Sequence, residues 1–174
     1  MRAGYNQNMI LDLPLILETR RNHALEHATI HMLSAKYPER NLAGHSNPTG
    51  FFILGNVTTE DLKFAVTEAL TRLRAGESEL AIHAGCGTNF ATTALLAGSM
   101  AWFPLSGVKT MRRRFWLLPF AVAFGVFGFV LSQPLGPILQ AKVTTEADMG
   151  NLQVKDIIPV RRSGVAVHRV ITRS

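Results

Sequence analysis

A chain of 174 residues has room for one modest domain, and 47% hydrophobic content against 17% charged residues is more apolar than a freely soluble domain of that size requires. The formal charge of +6 suits an anionic membrane surface better than nucleic acid, because the basic residues of the tail lie scattered among valines without interleaved stacking aromatics. A lone cysteine, Cys86, excludes an internal disulfide.

In chain order, residues 9–17 read as a short amphipathic segment at a membrane interface or as the lead-in to the next helix. Residues 18–37 have helical periodicity, with Ala24, Leu25, Ala28, Met32 and Ala35 on one face and Pro38 as the stop. "LAGHSNPTGFFILGNV" reads as two short extended pieces around an Asn47-Pro48-Thr49-Gly50 turn, with His45 as a turn residue. A second amphipathic helix is expected over 59–75, with Leu62, Ala65, Val66, Ala69, Leu70 and Leu73 inward, Thr58 as N-cap and Gly76 as stop. "ELAIHAGCG" reads as a strand ending in a glycine-flanked turn, followed by Thr88 and Asn89 as a helix N-cap region.

No Asp, Glu, Lys or Arg occurs from Leu80 to Val108 or from Phe115 to Ala141. Either run is long enough to cross about 30 Å of hydrocarbon as a helix of roughly 20 residues. Two transmembrane helices are therefore expected, at 89–108 and 115–139, with "KTMRRR" as a tight antiparallel turn. Small residues at three- or four-residue spacing (Ala94, Gly98, Ala101; Ala121, Gly125, Gly128) suit close helix approach in lipid. Trp102, Phe103, Phe115 and Trp116 sit where interfacial aromatics anchor. Lys109, Arg112, Arg113 and Arg114 favour a cytoplasmic turn, with both termini on the opposite side. Arg72, Arg74, Lys142 and Lys155 flank the other end, so the charges leave the orientation open. After the hairpin, "VKDIIPVRRSGVAVHRVITRS" offers two β-rich runs around Arg161–Gly164, with His168 a strand side chain. The expected fold class is a small α+β head with a two-helix transmembrane hairpin: head 1–88, hairpin 89–139, and a basic β-rich tail 140–174 that packs on the head.

The chemistry concentrates in "NHALEHATIHML". His23 and His27 stand one helical turn apart, and His31 one turn further. "HALEH" fits H-x-x-E-H, in which two histidines at i and i+4 aim at one metal and the intervening Glu takes a proton from metal-bound water. This pattern alone is short. His83 and Cys86 in "HAGCGTN" are further potential ligands, and a site of three protein ligands plus water suits catalysis where four suits structure. His23, His27 and His83 form the expected metal set, with His31 and Cys86 as secondary choices and Glu26 as general base. Zinc is the expected metal, and imidazole also accepts iron. The competing reading leaves the imidazoles on a polar helix face, bonded to water, backbone carbonyls, Glu26 or Glu18. A Cys86–His83 nucleophile pair is a further alternative.

"RNHALEHATIHML", "GHSNPTGFFILGNV" and "HAGCGTN", followed by a hydrophobic hairpin, resemble an uncharacterised family of small bacterial membrane proteins from phototrophic and related lineages, a domain of unknown function. The resemblance covers about residues 18–140. It implies a bacterial membrane protein with a soluble metal-site-like head and brings no activity; the expected location is the bacterial inner membrane, with two helices and both termini on one side. A separate similarity to inverted zinc peptidases covers only His23, Glu26 and His27; those families take a third ligand from a downstream Glu, for which Glu68, Glu77 and Glu79 are the nearby offers. The functional expectation is a membrane protein with a zinc site that acts as a metal-dependent hydrolase or peptidase. The alternative is a non-enzymatic subunit or assembly factor of a larger membrane complex. Expected partners are the lipid bilayer and a membrane protein or second copy, with no nucleic acid.

Overall fold

The computed structural model describes residues 10–162 and 165–174. It divides into two compact units: Met1–His83 joined by Ala141–Ser174, and Ala84–Gln140.

The first unit is α+β. Helix α1, Pro14–Lys36, begins four residues before the expected start because Pro14 supplies a preset φ at a position whose N–H is not needed. The expected one-sided burial does not hold in its middle. From Ala24 to Ile30 every residue is buried, so α1 is a central helix and its polar side chains there must find partners inside the protein. Strands β1, Ala43–Asn47, and β2, Gly50–Leu54, form a hairpin in which Asn47 opposes Gly50 across Pro48-Thr49, as the turn signal indicated. His45, expected in a turn, lies within β1 opposite Phe52.

Helix α2, Thr59–Arg74, has the expected inward face. Leu62, Ala65, Val66, Ala69 and Leu73 are buried and Leu70 packs at the core margin. The Thr58 hydroxyl accepts from the Asp61 N–H at 3.1 Å, and Gly76 follows at φ 96°, which the stop of a helix favours. "ELAIHAGCG" is not a strand. It forms a 3-10 turn at Ser78–Ala81 and then a short extended stretch whose carbonyls serve side chains of α1.

The last strands are β3, Gln153–Arg162, and β4, Val165–Arg173. Their connecting turn, expected around Arg161–Gly164, includes residues 163 and 164, which lie outside the described residues. The sheet is fully antiparallel in the order β1-β2-β4-β3. Phe51 and Ile53 of β2 and Val170 of β4 face the helices and meet Leu25, Ala28, Leu33, Leu62 and Val66 in one core, closed by Met149, Leu152 and Ile157. Burial of each large side chain stabilises by about 1.5–3 kcal/mol.

The second unit is a helical hairpin. Helix α3, Gly87–Trp102, is capped by Cys86, whose sulfur accepts from the Thr88 N–H at 3.5 Å; the cap thus falls two residues before the expected Thr88. Helix α4 is Met111–Leu139, running into a π-helical turn at Gln140–Thr144. Where two spans were expected, one helix among the described residues is long and apolar enough to cross a membrane, the segment Met111–Thr144. Helix α3 has 16 residues, about 24 Å at 1.5 Å per residue.

The two helices run antiparallel along a seam of small residues, Ala121, Gly128, Ser132 and Gly136 on α4. At Gly128 a Cβ would stand 2.7 Å from the Leu96 carbonyl oxygen and 2.9 Å from the Ala97 Cα, so backbone meets backbone as small-residue packing permits. Thr93 and Ser132 hydroxyls hydrogen-bond across the seam at 2.8 Å, and Gln140 donates to the Asn89 side chain at 2.7 Å. Gly98, expected in this seam, has open space where a Cβ would be.

Asp61 accepts from Lys36 and from the Tyr37 hydroxyl, tying α2 to the end of α1. The Lys36 hydrogen bond first, then those from Tyr37 and Thr58, hold its carboxyl down from the usual 3.8 to about 2. A folded-state value below the unfolded one contributes stability that is present above pH 3.8 and lost as the pH falls toward 2. Acid titration of the unfolding midpoint should show this loss, and Asp61→Asn should flatten it.

Candidate functional site

Four of the six histidines meet on one side of α1. The His23 and His27 rings stand edge to face with centroids 4.3 Å apart. His83, brought in by the segment after the 3-10 turn, lies 5.7 Å from His27 and 5.0 Å from His31. The imidazoles form a continuous row, His23–His27–His83–His31.

Three of these rings are held by backbone carbonyls. His23 Nδ1 lies 2.9 Å from the Thr144 carbonyl oxygen, His27 Nδ1 2.7 Å from that of Ala81, and His31 Nε2 2.8 Å from that of Ile82. A carbonyl oxygen only accepts, so the ring nitrogen facing it carries the proton. In the neutral imidazole the lone pair then sits at Nε2 of His23 and His27 and at Nδ1 of His31. This is the arrangement by which metal-ligating histidines are oriented: one nitrogen donates to a carbonyl and the other coordinates. One potential ligand nitrogen of His23 and one of His27 lie within 4.8 Å of each other. His83 is held below its usual 6.5, first by burial and then by the charges His31 and His27 acquire on protonation, so it is neutral at pH 7. Neutral rings are the form that binds metal.

The surroundings explain why α1 carries this stripe. Arg20 is buried and donates Nε to the Val143 carbonyl at 2.9 Å and Nη2 to that of Thr145 at 3.0 Å, while pairing with Glu146 at 3.3 Å. It clamps the segment that presents the Thr144 carbonyl to His23. Asn22 donates to the Asn47 carbonyl at 3.0 Å and accepts from the Thr172 hydroxyl at 2.7 Å, fixing α1 against β1 and β4.

Glu26, the expected base, is 4% exposed and turns toward β1. Its carboxylate accepts from the Ser46 hydroxyl and fills the space that a Cβ on Gly44 would take. Gly44 is thus required by close approach. The sequence held this signal, a glycine two residues before a serine in a strand and so on the same face, but not its connection to Glu26. The structure therefore brings together His23, His27, His31 and His83, and engages Glu26 with β1. Cys86 lies in the second unit as the α3 cap. Glu68 has no part in the imidazole row, and Glu77 pairs with Arg72. His168 sits in β4, as expected, with Nε2 3.1 Å from the Thr59 hydroxyl; burial lowers its pKa. Sequence reasoning missed the carbonyls of Ala81, Ile82 and Thr144, which no side-chain motif reports.

Ser46→Ala should destabilise the head by about 1–3 kcal/mol, because a buried carboxylate loses a donor. Chemical denaturation of both proteins measures the difference.

An uncharacterised protein of Picosynechococcus sp. (strain PCC 7002) is 34% identical over 179 aligned residues, covering 90% of this chain and 82% of the relative. No solved structure matches the chain. The family model matched over residues 18–157 includes the histidine helix, the hairpin and the first half of β3, running further into the tail than residue 140. The chain belongs to the family described as a domain of unknown function, DUF6391.

Proposed function

We propose that this protein is a membrane-anchored metal-binding protein, with a transition metal held by the imidazole row of the head and the α3–α4 hairpin lying in the bilayer. The observation that carries the metal reading is the anchoring of His23, His27 and His31 by backbone carbonyls, which sets the tautomer and orientation of each ring as in metal-ligating histidines. His23 and His27 at Nε2, with His83, are the ligand set we favour, and His31 is next in the row. Two nitrogens on one tetrahedral metal stand about 3.3 Å apart, a modest closure from the separation of His23 and His27. Zinc and iron both suit such donors.

Glu26 supports metal holding over hydrolysis. Its carboxylate is taken up by Ser46 and packed over Gly44, whereas a general base works from hydrogen-bond reach of the attacked water. That arrangement favours the reading of a non-enzymatic protein in which the metal is a structural or exchangeable element.

Elemental analysis of the detergent-purified protein tests the metal. Wild type should carry about one equivalent, and His23→Ala/His27→Ala should carry none while retaining its circular-dichroism spectrum. Glu26→Gln should keep the metal. Cys86→Ser should also keep it if imidazoles form the ligand set. Wild type without metal, or metal retained in the double variant, would overturn the site.

The bilayer reading rests on α4 and on the side chains the hairpin leaves open. Phe90, Leu95, Trp102, Phe115, Trp116 and Phe120 are all exposed, a patch far larger than single scattered apolar residues. With the three-residue 3-10 turn Phe103–Leu105 added to α3, the pair is long enough to enter together as a tilted hairpin. Alkaline carbonate washing of membranes should leave the protein in the pellet, and its release to the supernatant would sink this reading.

A further inference from the structure

The geometry points to a binding site for an anionic glycerophospholipid at the turn of the hairpin, with the headgroup phosphate on Arg112 and Arg113 and an acyl chain in the groove between α3 and α4. The inference rests on the bilayer reading above and adds a specific ligand to it.

The charge distribution is the first observation. From Leu80 to Thr145 there is no acidic residue, and the hairpin unit's only cations are Lys109, Arg112, Arg113 and Arg114. All four are exposed. Arg114 donates Nε to the Val108 carbonyl at 2.9 Å, which holds the turn and sets the other three around it. Four cations within six positions, with no carboxylate in the unit, repel one another unless an anion sits among them. Guanidinium groups present paired N–H donors that match a phosphate.

The groove is the second observation. Ser99, Met100, Trp102, Phe103 and Phe124 line a depression of about 470 Å³, with the Phe103 and Phe124 rings stacked at 6.2 Å. On α4, Arg113 and Phe124 are eleven positions apart. That spacing places them about 20° apart around the helix and roughly 16 Å apart along it. Leu117 and Phe120 lie between them on nearly the same face. A phosphate at Arg113 thus sits at the head of an apolar track of the length an acyl chain covers. Free phosphate would use the cations and ignore the groove, and a zwitterionic lipid would bring its own cation to a cationic turn. An anionic diacyl lipid uses both features.

The chain's two tryptophans, Trp102 and Trp116, flank the site and report on it. The full-length protein in neutral detergent is titrated with phosphatidylglycerol or phosphatidylcholine carrying brominated acyl chains, and tryptophan quenching is read. Brominated phosphatidylglycerol should half-quench at a lipid fraction at least about fivefold lower than phosphatidylcholine, since each basic residue near an anionic headgroup contributes about a fivefold preference. In Arg112→Gln/Arg113→Gln, checked for an unchanged helical spectrum, the preference should fall by at least about fivefold. Phe124→Ala should weaken quenching by phosphatidylglycerol while keeping the preference. Equal quenching of wild type by both lipids, or a preference that survives the double arginine variant, would overturn the lipid site and leave the bilayer reading intact. No quenching by either lipid would overturn both.

Discussion

The head depends on one constraint: backbone carbonyls in irregular segments need donors, and α1 supplies them. Buried on all sides through its middle, α1 offers Arg20 to Val143 and Thr145, Arg21 to Asp148, Asn22 to Asn47, His23 to Thr144, His27 to Ala81 and His31 to Ile82. Apart from Asn47, which ends β1, each contact joins a helix side chain to a short helical turn or a connecting segment outside the sheet. An unsatisfied buried carbonyl costs about 1–3 kcal/mol, so these donors decide where the connecting chain can lie. The polar stripe is what lets a central helix be wrapped by turns instead of by regular structure alone.

The same bonds determine the chemistry. By fixing which nitrogen carries the proton, the carbonyls orient the rings within the row. Glu26, only one residue from His27, leaves this row for the opposite partner, β1. A linear motif places Glu and His side by side, but 100° of helical rotation per residue sends them to different neighbours.

Much of the fold was legible where local physics decides. The Thr58 cap, the Gly76 stop, the inward face of α2 and the β1–β2 turn were readable because a few adjacent residues determine each. The small-residue seam of α4 was readable in the spacing of Ala121, Gly125 and Gly128. What escaped depends on distant partners. "ELAIHAGCG" has strand-like composition, yet its carbonyls are taken by His27 and His31, more than fifty residues earlier in the chain. Gly98 matched the small-residue pattern yet faces open space, because the seam of α3 instead runs through Asn89, Thr93 and Ala97. In the candidate site the four histidines were named from the sequence, whereas the 3-10 turn that carries His83 toward α1 was not, because a strand was expected there.

The strand order has a consequence for synthesis. Phe51 of β2 pairs with Val170 of β4, and the entire hairpin is made between them. At about 5–20 residues per second, β2 waits on the order of ten seconds with an open edge and an unfilled core before its neighbour emerges. During that interval the half-made head exposes the features that invite strand addition and aggregation, while the apolar helices have already left the ribosome. Synthesis of α3 and α4 therefore precedes closure of the head, and the nascent chain is most vulnerable in that window.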